Sequence, residues 1–347
     1  MKEKGIKEGI SDFTPDEIAE KLDLKKFQGK QIFQWIHGKK VFDFDAMTNL
    51  SKDMRNRLNE GFTASRLQLI STSDSDSNGT RKVLLGLPDG ETVESVMLKN
   101  KERLTLCISS QVGCAVKCSF CATGLSGYAR NLSPGEIAEQ ALYLLGEENV
   151  EERNPNIVYM GMGEPFRNYD SVVKSIRLLM DSDGLGIGAR RITVSTAGEV
   201  DGISKFAKED WQVRLSVSLH AATDDKRDVL VPLNRKYNLK RLGDAIADYR
   251  AISGRQITFE WTLMHDVNDS REDAEALIEY AKRYQAFVNL IPYNPVAGLD
   301  YRAPSSGRCK MFQEWLNNKG VKATLRYERG QDIDAACGQL RRHTIET

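Results

Sequence analysis

Three cysteines fall close together along the chain, in the pattern Cys114-x-x-x-Cys118-x-x-Cys121. Thiolates on one short loop are near enough to hold a single metal centre. A structural zinc ion takes four closed ligands, usually as two separated pairs, whereas a 4Fe-4S cluster held by three cysteines leaves one iron open to another ligand. The trio therefore favours an iron-sulfur cluster. Two alternatives stay open: a zinc site completed by Cys107 or Cys337, and buried thiols without a metal.

The other cysteines and the histidines add no further metal site. Six cysteines in 347 residues are too few and too unevenly placed for a disulfide scaffold in a reducing compartment. The four histidines include no pair with metal-binding spacing. Cys309 falls in a predicted helix near Met311 and Phe312, which favours a packed structural thiol, and we assign it no role.

The composition describes a globular chain long enough for two domains or one large one. Lys and Arg number 49, Asp and Glu also number 49, and 40% of the residues are hydrophobic, which excludes a disordered tail protein. No run approaches the roughly 18 apolar residues of a membrane span, and the start of the chain is charged and lacks the apolar core of a signal peptide. We therefore expect a cytoplasmic protein with no membrane association.

Net neutrality removes any whole-molecule attraction to nucleic acid, so such binding must come from local patches. The stretch from Lys21 to Lys40 holds six lysines against one acid, Asp23. A charge run is usually a solvated face, but for this patch we favour RNA binding. Further basic pairs are Arg190-Arg191, Arg235-Lys236 and Arg341-Arg342.

Local patterns predict helices first, then a turn-rich loop and a hairpin. From Leu104 onward, short apolar runs alternate with amphipathic stretches, which predicts strand-helix units around a parallel sheet. Six such units form an open doubly wound sheet or an incomplete barrel, and in both the loops after the strands build the site. The predicted helices are Asp16–Leu22, Lys30–Ile36 and Ser51–Leu58; the loop is Ser71–Thr80; the hairpin strands are Val83–Leu87 and Val93–Leu98; the strands of the units are Leu104–Ile108, Ile157–Gly161, Arg191–Thr196, Val213–Leu219, Gln256–Met264 and Phe287–Ile291.

Longer strings around the reactive residue types resemble a known family. They are Cys107–Cys114 with the trio that follows, Met160–Pro165, Ser216–His220 and Asp332–Leu340. Together they resemble the radical S-adenosylmethionine (radical SAM) RNA adenine-C2 methyltransferases, which modify 23S ribosomal RNA and, in some members, transfer RNA. The resemblance covers essentially the whole chain, and Gln31–Ile36 is similar to that family's accessory domain.

The resemblance implies a fold and a division of the chain. The fold is α/β, a partial (β/α)6 TIM-like barrel of the radical SAM type with a small amino-terminal helical accessory domain. The implied parts are an accessory domain that contacts RNA at 1–75, a β-hairpin connection at 76–100, and a radical SAM core with a catalytic cysteine segment at 101–347.

The resemblance also implies two cofactors and a reaction. Cys114, Cys118 and Cys121 would hold the 4Fe-4S cluster, whose open iron binds SAM. Cys337 would take a methyl group from one SAM, and a radical from a second SAM would activate that methyl for addition to C2 of adenine. Cys107 matches the cysteine that resolves the protein-RNA link through a transient disulfide with Cys337, and Glu94 matches the proton acceptor.

The contacts to SAM carry over residue by residue. Each position alone is a weak signal, because a Gly-Glu-Pro turn or a histidine at a strand end is more often structural, and their agreement strengthens them. The implied SAM-binding residues are Gly163, Glu164, Ser195, Ser218, Leu219, His220 and Asn294.

The implied partners are 23S rRNA, transfer RNA as a further substrate, and an electron donor such as flavodoxin or ferredoxin; we expect a monomer. A relative that methylates C8 and confers antibiotic resistance shares the cluster and both reactive cysteines, and it stays an alternative. The stretches Asn234–Tyr237 and Ala189–Thr193 favour the C2 group. The alternative without catalysis is a zinc-stabilised RNA-binding protein.

Overall fold

The computed structural model describes residues 7–75, 79–100, 103–146, 154–326 and 330–341. Its amino-terminal part is helical, and two short strands there pair in parallel. In chain order the elements of this part are β1 (Glu8–Gly9), α1 (Pro15–Lys21), α2 (Lys26–Phe33), α3 (Lys52–Gly61) and β2 (Phe62–Thr63).

The three predicted amino-terminal helices are confirmed, with one shift of bounds. α1 begins with a capping box, in which Thr14 and Glu17 each bond the other's backbone nitrogen, and Pro15 occupies the first turn. α2 begins four residues before its prediction and continues into a π-helical turn, Gln34–Gly38. Its start was missed because Lys25 caps it through the backbone and Gln28, without a side-chain hydroxyl or carboxylate at the cap.

A three-stranded antiparallel region follows: β3 (Gln68–Asp74), β4 (Thr80–Gly86) and β5 (Thr92–Asn100). It confirms the predicted hairpin. The loop prediction for Ser71–Thr80 is wrong for its first four residues, which belong to β3 and pair with β4. β3 is an exposed edge strand, so its polar side chains face solvent and its composition resembles that of a loop. Residues 76–78 of that prediction lie outside the described residues.

The parallel part of the sheet confirms all six predicted strands and adds a seventh, a short strand at the far end. The elements are β6 (Arg103–Cys107), β7 (Gln111–Gly113), α4 (Ala122–Leu125), β8 (Tyr128–Asn131), α5 (Pro134–Leu145), β9 (Asn156–Tyr159), α6 (Tyr169–Met180), β10 (Ile192–Thr196), α7 (Val200–Phe206), β11 (Arg214–Ser218), α8 (Asp224–Leu230), α9 (Leu239–Ser253), β12 (Ile257–Leu263), α10 (Arg271–Tyr284), β13 (Phe287–Pro292), α11 (Ser306–Asn318) and β14 (Ala323–Leu325). In the sheet the order is β3, β4, β5, β6, β9, β10, β11, β12, β13, β14, with parallel pairing from β6 onward.

Within the described residues the sheet has two edges, β3 and β14, so it forms a partial barrel as predicted. The core lies between the sheet and the helices, where α5, α6 and α9 bury apolar faces. The carboxyl ends of the parallel strands meet at one edge, and the loops that follow them carry the predicted site residues. No helix of the described chain is long and apolar enough to cross a bilayer.

A buried carboxylate joins the amino-terminal helices to the barrel. Glu139 of α5 is fully buried and accepts hydrogen bonds from the hydroxyls of Ser11 and Ser65 and from the backbone nitrogens of Arg66 and Leu67. Burial raises the pKa of Glu139 to about 7, and the bonds from Ser11 and Ser65 oppose the rise. All four donors come from the chain before β3, so this one side chain fixes that part against α5.

We predict that Glu139→Gln destabilises the fold by about 2 kcal/mol, because the amide nitrogen would face donors that need an acceptor. Denaturant unfolding of purified protein measures this change. Glu20→Gln, an exposed substitution in α1, is the matched control and should leave the unfolding midpoint unchanged. Equal unfolding midpoints for the two variants would contradict the role of Glu139 in fixing the amino-terminal part against α5.

Candidate active site

The cysteine loop runs from the end of β7 to the start of α4. Its backbone is held at both ends: Cys114 N donates to Gly127 O at 2.8 Å, and Cys121 N donates to Cys118 O at 3.2 Å. A Cβ at Gly124 would lie 3.1 Å from the backbone nitrogen and oxygen of Cys118, so the loop packs directly on that glycine. The structure thus brings the three predicted ligands to one wall of a cavity at the carboxyl edge of the sheet.

The three cysteines suit an iron-sulfur cluster by their number and chemistry. Three thiolates can each bind a different iron of a cubane and leave the fourth iron open, whereas a structural zinc ion takes four ligands. Among the described residues, the three cysteine sulfurs do not all lie within 4.8 Å of one another.

The charge state of these thiols also depends on a metal. Burial raises the pKa of Cys114 to about 12, and burial with the neighbouring Cys121 raises the pKa of Cys118 well above its usual value. Thiols in such a place stay neutral unless a bound cation offsets the cost of ionising them. The raised pKa values of Cys114 and Cys118 therefore suit metal ligation and not free nucleophilic chemistry.

Five of the seven predicted SAM contacts line the same cavity: Gly163, Glu164, Ser195, Ser218 and His220. Gly163 has φ of +105°, and a Cβ there would lie 2.7 Å from Cβ of Gln111, so this turn requires glycine. The hydroxyls of Ser195 and Ser218 lie 3.3 Å apart at the ends of neighbouring strands. They provide polar groups in the cavity wall, as do Glu260 and Thr262.

His220 is a fixed, neutral ring in this wall. Its Nδ1 accepts a hydrogen bond from Thr262 N at 3.0 Å, so the proton resides on Nε2. Burial, with a contribution from Arg227, lowers the pKa of His220 to about 3. The edge of the ring packs against Phe120, with centroids 4.7 Å apart. The histidine therefore positions the wall and does not titrate near neutral pH.

Glu164, the fifth predicted contact in the cavity wall, is tied to β10. Its carboxylate accepts hydrogen bonds from Thr196 Oγ1 at 2.8 Å, Ala197 N at 2.7 Å and Phe166 N at 3.1 Å. Burial raises its pKa to about 7, and the bond from Ala197 opposes that rise. The carboxylate thus joins the loop after β9 to the end of β10 and sets the shape of the turn at Gly163.

The remaining two predicted contacts do not line the cavity. Leu219 is fully buried in the core, and its backbone oxygen accepts from Arg227. Asn294 is buried and donates to the backbone oxygen of Cys337 at 3.3 Å. The structure therefore places Asn294 against the segment that carries Cys337.

Cys337 is the exposed cysteine of the chain, and it lines the cavity opposite the trio. Its segment is held by backbone contacts on both sides. Ala122 N donates to Gly338 O at 2.8 Å, Thr123 Oγ1 donates to Leu340 O at 2.5 Å, and Gln339 Nε2 donates to Pro295 O at 2.8 Å. The bonds from α4 tie this segment directly to the cysteine loop.

Glu94 and Cys107 lie on the neighbouring strands β5 and β6, and neither is among the described residues that line the cavity. Cys107 pairs with Val96, two residues from Glu94, so both side chains share one face of the sheet. Glu94 accepts from Arg341 N at 2.8 Å and forms an ion pair with Lys82 at 3.0 Å. Glu94 is thus bonded to the chain four residues beyond Cys337. All six cysteines are described, and none forms a disulfide.

Sequence reasoning missed Arg227, a buried cation behind the cysteine loop. Its guanidinium donates to Leu219 O at 3.1 Å, Ala197 O at 2.6 Å and Asn234 Oδ1 at 3.0 Å. Burial lowers its pKa to about 10. The side chain therefore ties the ends of β10 and β11 together. Arg227 lies in the sequence Asp-Asp-Lys-Arg-Asp, a pattern typical of a solvated helix face, so no sequence signal marked this side chain as buried.

Comparison with known proteins places this geometry in a class. The Radical SAM superfamily profile matches residues 108–281, and the Ribosomal RNA large subunit methyltransferase N-terminal domain matches residues 10–63. A crystal structure of a radical SAM methyltransferase from Sphaerobacter thermophilus superposes with a TM-score of 0.93 at 42% identity, covering 96% of this chain and 99% of that one. The chain is a radical SAM protein.

Curated relatives narrow the assignment. A probable dual-specificity RNA methyltransferase RlmN of Thermotoga maritima is 48% identical over 327 residues, which covers 94% of each chain. The corresponding protein of Desulfitobacterium hafniense is 46% identical over 92% of each chain. This chain belongs to the RlmN family of RNA methyltransferases. The predicted class of enzyme, a radical SAM RNA methyltransferase with a 4Fe-4S cluster and SAM as cofactors, is confirmed.

The ligand assignment generates a direct test. We predict that Cys118→Ser abolishes the brown colour and the broad absorbance near about 400 nm of anaerobically purified protein, because two thiolates cannot hold the cluster. Iron and sulfide analysis measures the loss. Cys309→Ala removes a buried thiol in α11 and should keep the iron content of the native protein. Full iron loading of the Cys118 variant would show that the trio is not the ligand set.

Proposed function

We propose that this enzyme methylates C2 of an adenine in 23S rRNA and of the adenine beside the transfer RNA anticodon. The observation that carries the proposal is the placement of Cys337: it is exposed to solvent yet lines the cavity of the cysteine trio. A methyl carrier needs both properties, since it must meet SAM on one side and RNA on the other.

In this proposal Cys114, Cys118 and Cys121 hold the cluster, and the wall of Gly163, Ser195, Ser218 and His220 surrounds SAM. When bound and reduced, the cluster supplies an electron that splits SAM to a radical able to take hydrogen from an unactivated carbon. His220 stays neutral near neutral pH, and its Nδ1 accepts from Thr262 N. Three hydrogen bonds hold the carboxylate of Glu164. These bonds fix the shape of the wall that would surround SAM.

Cys337 acts twice. Its thiolate first takes a methyl group from SAM by displacement, which needs a nucleophile at the mouth of the cavity. The methyl carbon then becomes the atom that adds to C2 of adenine. The bonds from Ala122, Thr123 and Asn294 hold the backbone of this segment, so the sulfur returns to one position between the two steps.

Product release assigns the roles of Glu94 and Cys107. Glu94 takes the proton that C2 must lose, and its ion pair with Lys82 holds its side chain in place. Cys107 then attacks the sulfur of Cys337, so that the bond from this sulfur to the methylene carbon breaks and a disulfide forms. The thiol proton of Cys107 passes to the methylene carbon, which becomes the methyl group, and the unpaired electron would return to the bound cluster. Cellular thiol reductants restore both thiols, which suits a cytoplasmic enzyme. These steps use residues on the one sheet face that the Cys337 segment covers.

RNA contact by the amino-terminal helices is part of the proposal, with a smaller basic surface than the composition implies. Of the six lysines between Lys21 and Lys40, three pair with acids: Lys21 with Glu8, Lys26 with Asp16, and Lys30 with Asp183. Arg342 lies outside the described residues. We further propose a monomer, a domain division at 75 and 100, and flavodoxin or ferredoxin as the electron donor.

Identification of the product tests the position of methylation. Purified enzyme with SAM, a reductant and 23S rRNA or transfer RNA should give 2-methyladenosine in both RNAs, measured by mass spectrometry of digested nucleosides. Appearance of 8-methyladenosine would instead assign the chain to the C8-methylating group. Methylation of one RNA alone would restrict the substrate to that RNA.

A variant of the carrier tests the mechanism. Cys337→Ala should keep the iron content and SAM cleavage but lower methyl transfer at least about a thousandfold, because no other side chain can carry the methyl group. Methyl transfer from labelled SAM to RNA measures the loss, with Cys309→Ala as the control at native rate. Normal product formation by the Cys337 variant would show that the carrier is misassigned.

A further inference from the structure

A groove on the outer side of the cysteine loop has the features of a protein docking site. We call it the basic groove. Its floor is apolar and consists of Ala115, Val116, Pro232 and Leu233. Its rim carries four cations: Lys117, Arg167, Arg235 and Lys236.

The rim holds an excess of positive charge. Arg167 and Lys236 share one carboxylate, that of Glu199, at 3.1 and 3.4 Å. Within the described residues, the side chains of Lys117 and Arg235 make no ion pair or hydrogen bond, and both residues are exposed. Apolar side chains among four cations, of which two share one carboxylate, fit a partner with an acidic surface around an apolar centre.

The basic groove lies directly against the cavity of the cluster. Val116 lines both, so one side chain separates them, and it stands two residues from Cys114 and two from Cys118. The loop is fixed there by Ser119, whose backbone nitrogen donates to Leu230 O at 3.1 Å and whose hydroxyl meets that of Tyr301 at 2.8 Å. A partner bound in the groove would therefore lie next to the part of the loop between Cys114 and Cys118.

The groove and the Cys337 mouth use different halves of the cysteine loop. Residues 115–117 form the groove, whereas Ala122 and Thr123, beyond the last ligand, contact the Cys337 segment. Single-stranded RNA binds through aromatic platforms as well as cations, and the described lining of the groove includes no aromatic side chain. Its chemistry therefore favours an acidic protein over RNA.

We propose that the basic groove docks an acidic one-electron carrier protein, which reduces the cluster while RNA occupies the opposite mouth. The inference rests on the proposed function, because only a redox cluster requires such a partner. The step transfers one electron: the carrier is oxidised by one electron, the cluster is reduced by one, and no bond forms or breaks. Docking at a separate face lets reduction proceed with substrate bound.

The test uses cluster-loaded enzyme and reduced flavodoxin under anaerobic conditions at low ionic strength. The variant is Lys117→Glu with Arg235→Glu, and the matched control is Arg103→Glu with Arg214→Glu, two exposed arginines at the opposite ends of the strands. Two readouts apply: the Kd for flavodoxin, and the rate at which the cluster absorbance bleaches with flavodoxin or with dithionite. RNA affinity is measured in parallel.

We expect the groove variant to raise the Kd for flavodoxin at least about tenfold and to slow reduction by flavodoxin equally. Reduction by dithionite and affinity for RNA should stay within about twofold of native values, as should every value for the control. The proposal would be overturned if the groove variant bound flavodoxin with the native Kd. It would also be overturned if this variant lost affinity for RNA and kept its affinity for flavodoxin. A native enzyme whose iron does not bleach even with dithionite would instead refute the proposed function.

Discussion

The chemistry depends on a short set of backbone hydrogen bonds between two loops that are distant in sequence. The backbone nitrogen of Ala122, one residue after the last proposed cluster ligand, donates to the backbone oxygen of Gly338, one residue after the proposed methyl carrier. The pair fixes Cys337 relative to the cluster without engaging either sulfur. Because the constraint acts through the backbone, both thiols keep their reactivity while the separation between them is held. The barrel serves to bring the two loops to the same edge.

Parallel strands explain why so much of this could be predicted. Strand ends meet at one edge, so a cysteine loop after the first strand and a turn after the next must converge. The six strands, the cavity and the positions of Gly163, Ser195, Ser218 and His220 follow from that rule and from motif spacing. Sequence alone could not distinguish a backbone role from a side-chain role. Leu219 and Asn294 are buried outside the lining of the cavity, and their contacts to SAM stay predictions.

Other features were out of reach because the deciding contacts are tertiary. The composition of the second half of β3 is typical of a loop, and the pairing with β4 makes this segment a strand. The sequence around Arg227 is typical of a surface helix. Its guanidinium nevertheless donates to two backbone oxygens just after β10 and β11 and to the side chain of Asn234, and those bonds offset the cost of burying a cation. The count of charges between residues 21 and 40 overestimated the basic surface there, because the acids that pair with Lys21, Lys26 and Lys30 lie outside that stretch.

The exposure of Cys337 has a cost when the enzyme is idle. The trio is half-buried and would be shielded by its metal, whereas the carrier sulfur meets solvent at the cavity mouth. Peroxide in the cell therefore encounters this thiol first and converts it to a sulfenic acid. In the proposed mechanism Cys107 forms a disulfide with Cys337, and the same pairing would convert the sulfenic acid to a reducible disulfide. The proposed pair would thus also shield the carrier from irreversible damage.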